Sequence, residues 1–164
     1  MGVDGCPAGW VYFQVDLQSR TTSVVVVSKI SELLSALPRP ILVGIDIPIG
    51  LPLKGPRARD LAARRLLGKP RSSSVFPARV RATLVAKNYE EACKLSMSAH
   101  GKSMSKQAHE IIAKIREVDD LMTPEIQRWV FEVHPEVSFY ALNGRHSLKH
   151  RKHEREGKEN LSRL

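Results

Sequence analysis

The chain has 164 residues, 42% of them hydrophobic and 26% charged, with a formal net charge of +9. That composition supports one globular domain with a core of its own, and there is little chain left for a second. No apolar run nears the roughly 18 residues of a membrane-spanning helix, and Met1-Gly2-Val3-Asp4 lacks the basic-then-apolar layout of a secretion signal, so a soluble cytoplasmic protein is expected. Cys6 and Cys93 are far apart with no CxxC, which signals neither a zinc site nor a disulfide framework.

In chain order, residues around Val3 form a first strand. Residues 10–17 and 21–28 read as two strands of a hairpin turning at Gln18-Ser19-Arg20, and Val24-Val25-Val26-Val27 is β-branched throughout. Residues 31–37 are a short helix stopped by Pro38 and Pro40. It leads into a strand over 41–47, whose run Ile41-Leu42-Val43-Gly44-Ile45 suits burial on both faces. After Gly50 comes a long basic connection, in which only 57–67 looks helical, begun after Pro56 and closed by Gly68. Residues 71–79 read as an extended loop with three hydroxyls between cations. Asn88-Tyr89-Glu90-Glu91 resembles a capping box for a helix to about Ser98, and Ser105 caps a stronger one, with Ala108, Ile111, Ile112, Ile115, Val118 and Met122 at core spacing. A short strand near Val130 to Val133 then precedes a helix with Pro135 in its first position. Strand, hairpin, helix and strand in that order predict a mixed sheet packed with helices.

Two aspartates stand at the ends of apolar strand runs beside turn formers, in Val3-Asp4-Gly5 and Ile45-Asp46-Ile47-Pro48-Ile49-Gly50. A carboxylate there is poorly explained by packing. If the two strands are neighbours, two like charges about 4 Å apart repel by roughly 4 kcal/mol at an effective dielectric near 20, which calls for a cation between them. Mg²⁺ or Mn²⁺ is the expected ion, since hard divalent cations choose carboxylate oxygen. A third cluster is Phe131-Glu132-Val133-His134-Pro135-Glu136, where strand alternation and the helix start gather Glu132, His134 and Glu136 at one strand end. Helix-terminus electrostatics alone would explain Glu136.

The basicity is local. Residues 54–81 hold nine Lys/Arg against Asp60 alone, and 145–164 hold seven against three Glu. Such clustering is the footprint of a phosphate-bearing partner, with Arg57, Arg59, Arg64, Arg65, Arg71 and Arg79 as the expected nucleic-acid contacts; the plain alternative is a solubilising surface.

Gly2 to Trp10, Ile45 to Pro52, Ser73-Ser74-Val75-Phe76-Pro77, Lys114-Ile115-Arg116-Glu117-Val118-Asp119 and Phe131 to Glu136 together resemble the signature of an uncharacterised prokaryotic domain-of-unknown-function family of predicted RNase-H-like nucleases, in order over residues 2 to about 145. The resemblance implies an α/β ribonuclease-H-like fold over 1–144: a five-stranded mixed sheet with an N-terminal antiparallel meander and helices on both faces. It puts the essential acids of the first and fourth strands on Asp4 and Asp46. It also implies a C-terminal helix with a further acid, which the stretch to Leu164 does not supply. Residues 145–164 read instead as a basic tail or short helix, with Glu154, Glu156 and Glu159 in a solvated polar run.

The expected function is divalent-metal-dependent phosphodiester hydrolysis on nucleic acid. Asp4, Asp46 and Glu132 or Glu136 would hold the metal, and His134 would shuttle protons, since imidazole ordinarily titrates near neutral pH. The alternative is a nucleic-acid-binding or assembly module with a vestigial site. Phosphoryl transfer to a small molecule fits less well, because no GxxxxGK[ST] loop is present. If a sheet or helix face is left bare, self-association is expected.

Overall fold

The computed structural model describes residues 1–148. Five strands, β1 (Gly2–Cys6), β2 (Gly9–Val15), β3 (Thr22–Val27), β4 (Val43–Ile45) and β5 (Val130–Glu132), form one mixed sheet in the order β3-β2-β1-β4-β5. The first three are an antiparallel meander, while β4 lies parallel to β1 and β5 parallel to β4. The β2–β3 hairpin closes where Asp16 Oδ1 accepts the N–H groups of Gln18 and Ser19 at 2.8 and 3.0 Å. Those bonds hold the exposed Asp16 carboxyl below the usual carboxylate range.

The helices are α1 (Ile30–Leu34), α2 (Ala58–Leu67), α3 (Tyr89–His100), α4 (Lys106–Glu110), α5 (Ile112–Leu121) and α6 (Pro135–Leu142). Local chemistry sets their ends. Asn88 Oδ1 accepts from Glu91 N at 2.9 Å to cap α3, and Gly101, at φ 69°, closes it in the left-handed region. Ser105 caps α4 through Ala108 N. The helix expected to run on to Met122 breaks at Ile111, which is exposed, and restarts as α5 with Ile112, Ile115 and Val118 buried. Each half thus turns its own apolar side inward. The expected strand over 41–47 shrinks to three residues, because the ladder to β1 begins at Gly2↔Gly44 and Ile41 and Leu42 lie at the surface. The loop over 71–79 opens with a 3₁₀ turn, Arg71–Ser74, whose Ser73 hydroxyl donates to Pro70 O.

Strand alternation divides the sheet into unlike faces. Val3, Trp10, Val43, Ile45 and Val130 point one way and join Ile30 and Leu33 of α1 and Ile112, Ile115 and Val118 of α5 in the core. The other face carries Phe13, Val15, Val24, Val26 and Phe131, which are 44% to 64% exposed. On the core face, α1 and α5 supply the helical packing. Of the basic segment expected over 145–164, Ser147 donates to Leu67 O and Leu148 O accepts from Arg71 Nε, while residues 149–164, and any further helix, lie outside the described residues. Among the described residues no helix is long and apolar enough to cross a membrane.

The tight β1–β2 connection depends on Gly9. Its φ is 129°, and an added Cβ would sit 2.2 Å from Val27 O and 2.7 Å from Ser28 O, both backbone atoms. Gly9→Ala is expected to destabilise the fold by about 3 kcal/mol or more in urea unfolding. Gly2→Ala, whose Cβ would meet nothing within 4 Å, is expected to change stability little.

Candidate functional site

The carboxyl ends of β1 and β4 meet side by side. Val3 is paired with Ile45, and the parallel ladder continues through Asp46 N donating to Val3 O at 3.1 Å. Asp4 and Asp46 follow directly, on neighbouring strands whose axes are about 4.8 Å apart. Val3 and Ile45 point into the core, so alternation turns both aspartates to the opposite face, and both are exposed. Asp4 Oδ1 accepts from Gly5 N at 2.7 Å, which fixes one of its oxygens on the strand end. These two of the expected acids are brought together.

Glu132 is not with them. It is paired across the sheet with Ile45 and shares that residue's face. There it accepts from Ile49 N at 2.9 Å, from Arg57 Nη1 at 2.7 Å and Nη2 at 2.5 Å, and from Arg59 Nη1 at 3.3 Å. Arg57 also donates Nε and Nη2 to Asp60 Oδ1 and Nη1 to Ile49 O, and Asp60 Oδ2 accepts from Ala78 N at 2.7 Å. Burial by itself would lower the pKa of the Arg57 guanidinium; the hydrogen bonds and charges of Glu132 and Asp60 outweigh it and leave the pKa raised. Arg57, expected at a nucleic-acid surface, is therefore buried and fully engaged within the protein.

Arg71 is the second such correction. It is 5% exposed, donates to Leu148 O, and lies 3.9 Å from Glu136 in the first turn of α6. His134 is the N-cap residue of α6. Its Nδ1 and Arg71 Nη2 are buried with no hydrogen-bond partner among the described residues. Of the other expected contacts, Arg64 donates to Val75 O, Arg59 is largely exposed despite touching Glu132, and Arg65 is exposed. Arg79 is half-buried, and burial lowers the pKa of its guanidinium. No carboxylate pairs with it among the described residues. A desolvated cation of that kind is stabilised by an incoming anion.

The Lys114 to Asp119 motif braces the site from α5. Lys114 Nζ donates to Gly9 O at 2.5 Å and sits 4.7 Å above the Trp10 ring. Its stem fills the space a Gly5 side chain would need, since a Cβ there would be 2.5 Å from Lys114 Cδ. Glu117 accepts from Trp10 Nε1 at 3.0 Å and from Ile30 N at 2.6 Å. One helix turn thereby fixes the end of β1, the start of β2 and the start of α1. Asp119 takes a bidentate pair from Arg81, at 2.5 and 2.8 Å. The motif is visible in the sequence; its roles as a brace depend on contacts across more than a hundred residues, such as Trp10 to Glu117, which no spacing reveals.

Among the described residues, no group of three or more His, Cys, Asp or Glu side chains is arranged to hold a metal ion. A family model described as "Protein of unknown function (DUF429)" matches residues 2–164. The chain belongs to the DUF429 family. Searches of curated proteins and of solved structures returned no match for this DUF429 chain.

The Arg57 network is the part of this DUF429 structure most exposed to a single substitution. Removing one partner from a buried charged cluster leaves the others unpaired, at a cost of about 3 to 5 kcal/mol. Arg57→Met and Glu132→Gln are each expected to lower the unfolding free energy by a few kcal/mol. The double variant should lose clearly less than the two single losses added, as a double-mutant cycle in urea would show.

Proposed function

We propose that the chain has a ribonuclease-H-like fold and cleaves phosphodiester bonds of nucleic acid with the help of a divalent cation at Asp4 and Asp46. The observation that carries this reading is the register of β1 and β4, which leaves Asp4 and Asp46, both exposed, one residue past the paired Val3 and Ile45 on adjoining parallel strands. The strand order and the antiparallel meander support the fold reading.

The donor set fits such an ion without a third acid. Mg²⁺ keeps several waters and is commonly held by one or two carboxylates together with phosphate oxygens of the substrate. Bound there, Mg²⁺ or Mn²⁺ would supply an activated water and offset the charge developing on the phosphate. The chain's own residues do the rest. Asp4 and Asp46 would supply hard anionic oxygens, and the Glu132 and Arg57 bonds to Ile49 hold the segment after β4 in place. Arg59, Arg65 and Arg79 bind the backbone phosphates, Arg79 gaining an anionic partner that no described residue provides.

One observation favours a second reading, a nucleic-acid-binding module without turnover. Glu132 and Glu136 face Arg57 and Arg71, so the acids expected to complete a metal centre are directed inward.

The two readings part in one set of measurements. Titration calorimetry with Mg²⁺ and Mn²⁺, alone and with a non-cleavable oligonucleotide, should show binding that Asp46→Asn removes, and Asp4→Asn and Asp46→Asn should each abolish metal-dependent cleavage while nucleic-acid affinity stays largely intact. Cleavage that survives both substitutions overturns the catalytic reading; salt-sensitive binding with no turnover in the wild type selects the binding module. Under either reading, Arg79→Met should weaken binding and reduce the slope of log K against log salt concentration by about one.

A further inference from the structure

Thr22–Val27 is the sequence TSVVVV, and among the described residues β3 is an edge of the sheet, hydrogen-bonded to β2 on one side only. Every residue from Thr22 to Val26 is exposed, with Val24 at 64% and Val26 at 53%. Val24 is paired with Phe13 and Val26 with Val11, so the two valines continue an apolar row across β2 in which Phe13 and Val15 are also about half-exposed. Sheet edges that stay unpaired in solution are usually guarded by lysine, proline, a bulge or an inward charge. Residues 21–28 contain no charged residue and no proline, and the pairing from Trp10↔Val27 to Val15↔Thr22 runs without a bulge.

We propose that β3 is the interface of a two-fold dimer, in which a second copy lays its own β3 antiparallel along this edge and extends the sheet from five strands to ten. Three features favour a copy of the same chain. An open ladder of N–H and C=O groups is satisfied in full only by another strand, and antiparallel pairing about a two-fold axis at Val25 sets Val25 against its own copy and Val24 against Val26. The residues that flank the two ends of β3 carry one charge of each sign, Asp16 and Arg20 at one end and Lys29 and Glu32 at the other, so the antiparallel approach of a second copy opposes no net charge. The chain's own last segment is a poor cover, since 149–164 contains only Leu161 and Leu164 as aliphatic residues among many charges. The Asp4 and Asp46 strand ends are not part of this edge, so each copy keeps its own site.

The test is sedimentation or light scattering of the full chain over a concentration series, with hydrogen exchange on the same samples. The expected result is a species of twice the chain mass, with slowed exchange across residues 22–27 in the dimer. The Val24→Lys/Val26→Lys variant, altered only at exposed positions, should keep its thermal transition and be monomeric, with a dissociation constant raised at least tenfold. If that variant unfolds, Ser23→Lys, which adds one charge beside the same edge, serves in its place. A wild type monomeric at every concentration, a dimer indifferent to charge on β3, or a dimer whose β3 amides exchange as fast as those of the monomer overturns the proposal.

Discussion

Much of the structure hangs on one buried guanidinium. Arg57 reaches Ile49 O, Asp60 and Glu132, so it connects the turn after β4, the start of α2 and the edge strand β5, while Asp60 carries the connection on to Ala78 N. A cluster of this kind is a weak source of net stability, because desolvating the charges consumes most of what their attraction returns. Its value is positional. Any shift of the 49–52 turn would strip Arg57 and Glu132 of hydrogen bonds in a place where water cannot fully replace them, so the turn has one low-energy position. Asp46 lies three residues before Ile49, so the backbone that carries it runs directly into the segment this cluster holds.

The two faces have divergent roles for the same reason. Alternation along β1, β4 and β5 sends Val3, Ile45 and Glu132 to the core side and Asp4 and Asp46 to the other. The core side holds α1 and α5, whose Lys114 and Glu117 fix the β1–β2 turn. The open side holds the exposed aspartates and an apolar row on β2 and β3. The proposed metal site lies on that exposed side of the sheet, where an ion could keep several of its waters.

The sequence made some of this readable and concealed the rest, and the division follows interaction range. The meander was legible because β-branched runs and the 18–20 turn are local signals, whereas residue pattern alone put Asp4 and Asp46 together only on the condition that their strands are neighbours, which the register of β1 against β4 shows. The break at Ile111 was not, since a regular apolar spacing records which residues pack and is silent on where the axis bends. Glu132 was grouped with the aspartates on spacing alone; the register of β5 against β4, set by long-range pairing, puts it on the other face. Arg57 and Arg71 looked like surface cations because a basic run does not show burial. Their partners, Glu132 and Glu136, lie about seventy residues away.

That correction sharpens the electrostatics. A net charge of +9 suggests a uniformly attractive surface for phosphate, yet two of the six expected arginines are neutralised inside the fold and a third, Arg64, is bonded to a backbone carbonyl. What remains is a smaller set, in which Arg79 is distinctive: burial lowers the pKa of its guanidinium, and no described carboxylate pairs with it. An exposed lysine or arginine exchanges one solvated counterion for another when phosphate arrives. Under the proposed function, a half-buried guanidinium with no carboxylate partner among the described residues has already lost part of its solvation on folding, so a bound phosphate would recover interaction energy that water was not providing. Affinity and position are then set together, by a residue held between Ala78, bound to Asp60, and Arg81, whose N–H is bonded to Pro52 O in the same connection that follows Asp46.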